Sequence, residues 1–152
     1  MKVEGVPPLS GRERMYLKHA ENISKFSDHR CKIGCVVVNQ HKIVGCGHNS
    51  DITTHGFQAR LDKEYFKCDS CGKVHAEIAA LIPLIKSGVD LTNATLYTFR
   101  RKRDGSFGMS KPCPRCMKVI KSLGIKKLVY STEDGVAKER LMYNEDTYGR
   151  KN

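Results

Sequence analysis

Apolar positions in this chain fall into short stretches of two different periods, separated by polar clusters. Tyr16, Leu17, Ala20 and Ile23 recur at helical spacing behind Ser10-x-x-Glu13, a capping box in which each side chain satisfies a backbone N–H of the other's end. The pattern predicts a helix over 11–26, ended by Ser27-Asp28-His29-Arg30. Ile33 to Val38 is β-branched and almost continuously apolar, which suits a central strand covered on both faces. Asn39-Gln40-His41 makes a turn, and 42–47 returns as a second strand, with Cys35 and Cys46 as small core residues. Residues 58–67 are charged with interspersed apolar positions and read as a short helix. From about Val74, an apolar helical face of Ile78, Leu81, Ile82 and Ile85 runs to Gly88. Pro83 lies inside it, removes one intrahelical bond, and predicts a kink or an early end. Residues 94–99 form a third predicted strand and 100–111 a long loop. Pro112 and Pro114 suit the entry of a third main helix, in which Cys116, Val119, Ile120 and Leu123 lie at i, i+3, i+4 and i+7 before Gly124. Residues 125–130 read as a fourth strand and 136–143 as a last short helix, with 1–9 an extended lead-in and 144–152 a loose tail.

Strands and helices alternating in this order predict an α/β fold: a three-layer α/β/α sandwich, its mixed sheet of four to five strands carrying helices on both faces. The 152 residues suffice for a single domain, 1–152, around one sizeable core. Hydrophobic content of 39% and charged content of 28% describe a globular chain. No apolar run approaches the ~20 residues needed to span a bilayer, and the N-terminal stretch has no apolar secretory core. A cytoplasmic protein without a membrane partner is expected, its seven cysteines reduced or metal-bound rather than paired. The net charge of +11, from 27 basic and 16 acidic side chains, favours nucleotides, polynucleotides or phosphates as partners.

The chemistry concentrates in His75-Ala76-Glu77 and Pro112-Cys113-Pro114-Arg115-Cys116. One imidazole and two thiolates give a metal three protein ligands and leave a fourth position open, as in catalytic zinc sites. Such a metal lowers the pKa of a water, and Glu77, two residues from His75, can take that water's proton. Both motifs fall on the first turns of predicted helices, so two helix N-termini converge on the metal and favour anionic ligands there. Neither motif alone is specific, and a closed structural metal site is the alternative, though it lacks an obvious fourth ligand. Cys68-Asp69-Ser70-Cys71 has the spacing of a zinc knuckle. Cys68 and Cys71 are therefore either a second metal pair, completed by His29, Cys31, His48 or His55, or two thiols of an unligated loop.

His-x-Glu followed by Pro-Cys-x-x-Cys is the signature of zinc nucleobase deaminases. Over roughly residues 10–135 the chain resembles the cytidine/deoxycytidylate deaminase superfamily. The resemblance implies hydrolytic deamination of a cytosine-type ring, with Zn²⁺ held by His75, Cys113 and Cys116 and with Glu77 as the catalytic proton carrier. It also implies that the Ala76 N–H meets the base carbonyl and that Asn49, in Gly47-His48-Asn49, meets the substrate sugar. The expected substrate is a small nucleotide, dCMP or a related cytidine derivative, and the expected assembly a homo-oligomer. The segment 100–111, RRKRDGSFGMSK, is longer than in most members and leads into the zinc motif. Arg101 and Phe107 are its candidate substrate contacts, either for a 5′-phosphate or for a single-stranded backbone with Phe107 against a base; a solvated basic loop is the alternative. Two further readings stay open. One is a deaminase of single-stranded DNA or RNA, acting on cytosine or on tRNA adenosine. The other is an inactive zinc protein that binds nucleic acid, for which Glu77 would have no use.

Overall fold

A computed structural model of the chain describes residues 8–66 and 73–141. Helix α1 (Gly11–Ser24) opens on the expected capping box, Ser10 Oγ accepting from the Glu13 N–H while Glu13 accepts from the Ser10 N–H. Strands β1 (Ile33–Asn39) and β2 (Lys42–His48) form a hairpin whose turn residues, Gln40 and His41, both have positive φ. Helices α2 (Gly56–Phe66) and α3 (Ala76–Ser87) follow, then β3 (Thr95–Arg101) and a two-residue β4 (Phe107–Gly108). Helix α4 (Pro114–Ser122) leads into β5 (Lys127–Thr132) and β6 (Gly135–Arg140).

The strand order is β2-β1-β3-β5-β6, with β4 paired to β3 off this path. Only the β3–β5 pair is parallel, joined through α4; the other pairs are antiparallel. Alternation along the strands makes two cores. Val36, Val38, Tyr97, Phe99 and Val129 face α1, whereas Cys35, Val37, Leu96, Leu128 and Tyr130 pack with residues of α3 and α4. The α/β sandwich is thus as expected, with more strands. The close fit of α3 depends on Gly47, where a Cβ would lie 2.6 Å from Ala80 N and 2.7 Å from Ala79 Cβ. Among the described residues no helix is long and apolar enough to cross a membrane.

Four expectations need correction. The segment 100–111 is not a long loop: β3 runs on to Arg101, the chain turns at Asp104-Gly105, and β4 pairs Arg101 with Phe107. Buried Thr98, Ser110 and Ser131 then tie the following residues down through their hydroxyls. Residues 135–140 form a strand instead of a helix, because Glu133-Asp134 closes a second tight hairpin, Thr132 facing Gly135. Of the two outcomes expected at Pro83, the early end does not occur: helix α3 continues to Ser87, and Pro83 is exposed, so water can serve the carbonyl left without its helical partner. Cys46 is exposed on the edge strand β2, while Cys35 is buried as expected.

Candidate active site

Two helix starts meet where β1, β2 and β3 are covered by α3 and α4. His75 is the N-cap of α3 and Cys113 the N-cap of α4, with Cys116 one turn on. Both caps have extended backbone, and neither side chain caps its own helix. They are free to face each other: Nδ1 of His75 lies 3.6 Å from Cys113 Sγ and 3.5 Å from Cys116 Sγ. The three donor atoms all lie within 4.8 Å of one another, and no other such trio of His, Cys, Asp or Glu occurs among the described residues. Glu77 stands beside this set but outside it. Its carboxyl is buried and 3.7 Å from Cys116 Sγ.

The electrostatics are those of ligands arranged for a cation. The hydrogen bond from Cys116 holds the Cys113 thiol down to about 3, and the same bond, with burial, pushes Cys116 well above its ordinary value. Two adjacent thiolates cannot coexist in this pocket until a positive ion joins them. The hydrogen bond to Cys113 raises His75, and burial raises Glu77, so its carboxyl lies nearer the range useful for proton transfer. A cavity of about 280 Å³ opens onto His75, Ala76, Glu77 and Cys113, with Asn49, Cys31 and Lys111 among its walls. A larger cavity, about 620 Å³, lies between the start of α1 and the β1–β2 turn. It contains none of these donors, so chemistry and not volume marks the site.

This geometry agrees with comparison to known proteins. The family model for the cytidine and deoxycytidylate deaminase zinc-binding region matches residues 11–132. The chain belongs to that family. It is 32% identical over 97 residues to a deoxycytidylate deaminase of Enterobacteria phage T2, covering 60% of this chain and 46% of that protein. The chain thus spans about half the length of the curated relatives it matches. A dCMP deaminase of cyanophage S-TIM5, solved with dCMP and dUMP, is 27% identical with a TM-score of 0.58, over 82% of this chain and 85% of that one. A cytidine deaminase from Burkholderia pseudomallei shares the fold at a TM-score of 0.59 and 16% identity, over 87% and 93% of the two chains.

Of the residues expected to meet substrate, Ala76 and Asn49 line the cavity. Asn49 is largely committed to the protein: Oδ1 accepts from Ser27 Oγ and the Ile33 N–H, and Nδ2 donates to the Cys31 carbonyl. Arg101 and Phe107 lie elsewhere. Alternation on β3 turns Arg101 to the α1 face, where it pairs with Glu21 at 2.7 Å and sits against the rings of Phe99 and Phe107. Phe107 packs edge-on against Phe99, 5.0 Å between centroids, and is not presented for stacking on a base. Lys102 pairs with Glu133, and Lys111 with Glu139. Three of the charges that suggested a strand-tracking loop are therefore neutralised internally. Cys68 and Cys71 lie outside the described residues. Gln58 went unnoticed in the sequence: it is fully buried, and its Oε1 accepts from the His75 N–H at 3.1 Å, fixing the metal-side end of α3. A lone Gln in a charged helix carries no local signal for that role.

Proposed function

We propose that this protein is a zinc-dependent deaminase of a cytosine nucleotide, with dCMP the foremost substrate: dCMP and water give dUMP and ammonia. The observation that carries this reading is a buried carboxyl, Glu77, placed beside a His/Cys/Cys trio at the edge of a cavity. The trio fits zinc. With bonds of about 2.0–2.1 Å to nitrogen and 2.3 Å to sulfur, a tetrahedral ion spaces N and S donors by about 3.5 Å; His75 Nδ1 stands 3.5 and 3.6 Å from the two sulfurs. His75, Cys113 and Cys116 would hold the ion, and when bound it supplies a water acidic enough to act as nucleophile at neutral pH.

The chain's own residues do the rest. Glu77 takes a proton from the attacking water and delivers it to ring N3, so that C4 accepts the oxygen without building charge on the ring. It then takes a second proton from the new C4 hydroxyl and gives it to the exocyclic amine, so that the C4–N bond breaks, ammonia leaves and the C4 carbonyl of the uracil ring forms. This shuttle contributes ~10²–10⁴-fold. Ala76 is the first residue of α3, and its N–H, one of the donors a helix start leaves unpaired, is offered to the base carbonyl. The second Nδ2 hydrogen of Asn49 remains for the sugar, its other valences holding the cavity wall in place. Support for a nucleotide comes from the named substrates of the phage relatives.

The test is to offer purified, zinc-loaded protein dCMP, deoxycytidine, dCTP, adenosine and a short single-stranded oligonucleotide, reading products by mass and ammonia release. Conversion of dCMP at the highest kcat/KM is expected. Preference for the oligonucleotide, or for adenosine, would overturn the substrate assignment.

A further inference from the structure

Among the cations near the cavity, most already have an acid. Lys73 pairs with Asp51 at 3.2 Å and Lys111 with Glu139 at 3.1 Å, and on the far side Arg101 pairs with Glu21. Arg100 differs. Its backbone N–H is fixed to Ser131 Oγ, but among the described residues its guanidinium has no carboxylate partner and its side chain makes one polar contact, Nη2 to Cys31 Sγ at 3.3 Å. Cys31 is a wall of the cavity that holds His75, Glu77 and Cys113, and Ile33, the cross-strand partner of Arg100, is another.

The local fold directs this side chain to the cavity's side of the sheet, against Cys31. Alternation on β3 sends Arg101 to the α1 face and Arg100 to the other, the side of α3 and α4. The turn at Asp104-Gly105 then brings Gly108 opposite Arg100, and the absence of a side chain at Gly108 leaves room for the arginine to lie across it. A Cβ there would stand 2.9 Å from Arg100 Cδ and 3.0 Å from Nε. A half-buried guanidinium whose partner is a thiol has most of its planar N–H fork unused, and that fork matches phosphate oxygens in pairs.

The geometry points to Arg100 as the residue that reads the 5′-phosphate of the substrate, so that this chain selects a nucleotide over a nucleoside. The inference rests on the deaminase reading of the site. It assigns the basic hairpin a part in specificity, through the arginine neighbouring the one its sequence first suggests.

The experiment compares wild type, Arg100→Gln and Gly108→Ala with dCMP and with deoxycytidine, by steady-state kinetics and by calorimetric binding. Arg100→Gln is expected to raise KM and Kd for dCMP about ten- to a hundredfold and to shrink the preference for dCMP over deoxycytidine by a similar factor. Gly108→Ala keeps the arginine but displaces it, and is expected to shift the same ratio in the same direction. Should Arg100→Gln fold poorly, the Gly108→Ala ratio alone decides. An unchanged ratio in the folded variants, or a wild type that binds deoxycytidine as tightly as dCMP, overturns the assignment. A wild type that binds dCMP through Arg100 but releases no ammonia would leave Arg100 in place and overturn the deaminase reading instead.

Discussion

His75 and Cys113 are N-caps whose side chains do no capping, and a helix start normally gains about 1 kcal/mol from a Ser, Thr, Asp or Asn there. The loss makes sense when both side chains are ligands. Cys116 is fully buried with its sulfur 3.5 Å from His75 Nδ1, so Cys116→Ser should fold with little change in volume yet purify without stoichiometric zinc, read by elemental analysis. Zinc retained at one per chain in that variant would contradict the ligand set. At this scale the sequence was most legible: spacing and residue type identify His75, Glu77, Cys113 and Cys116 without coordinates. Gln58 was not legible, because its contact is to a backbone N–H and leaves no motif; the basic residues of 100–111 were visible, but strand alternation decides which of them lies on the cavity's side of the sheet.

The elements that were misread share one cause. Asp-Gly steps mark both hairpins, Gly105 in the first turn and Gly135 just after the second, each with positive φ, and the charge or helix propensity of the neighbouring residues masks them in the sequence. Lys138, Glu139 and Arg140 are good helix formers, yet pairing with β5 places Val136 and Ala137 in opposite cores. The first hairpin also explains Arg101. Burial opposes ionisation of Glu21, but the hydrogen bond and charge of Arg101 outweigh it and hold that carboxyl below its ordinary value of 4.5. A depressed folded-state pKa means stability present above 4.5 and lost as pH falls through the folded value. Glu21→Gln should therefore cost ~1 kcal/mol near pH 7, with the difference from wild type shrinking below pH 4.5 in denaturant titrations. A constant difference across that range would mean the ion pair contributes nothing. Packing of α3 makes a second test. Gly47→Ala should push α3 off β2, costing about 1–3 kcal/mol and weakening zinc affinity through His75. Unchanged thermal unfolding and unchanged zinc titration would show that the close approach is not needed.

For the molecule as a whole, the alternation of strands and helices was enough to reach the layered architecture, because each apolar period dictates which faces must be covered. The excess of positive charge was equally visible, but its distribution was not. The structure pairs Arg101, Lys102 and Lys111 with acids distant in sequence and, among the described residues, leaves Arg100 without one. That division favours a small anionic substrate at one cavity over a polymer tracked along a basic surface. Proton transfer by a buried carboxyl that is not itself a ligand is the central step of the proposed reaction. Zinc-loaded wild type and Glu77→Gln, each incubated with dCMP and assayed for dUMP, zinc content and dCMP binding, test it most directly. The account predicts one zinc per chain and bound dCMP in both, with dUMP formation in the variant lower by ~10²-fold or more. A variant that loses its zinc would make Glu77 a ligand, and one that forms dUMP at the wild-type rate would contradict the mechanism.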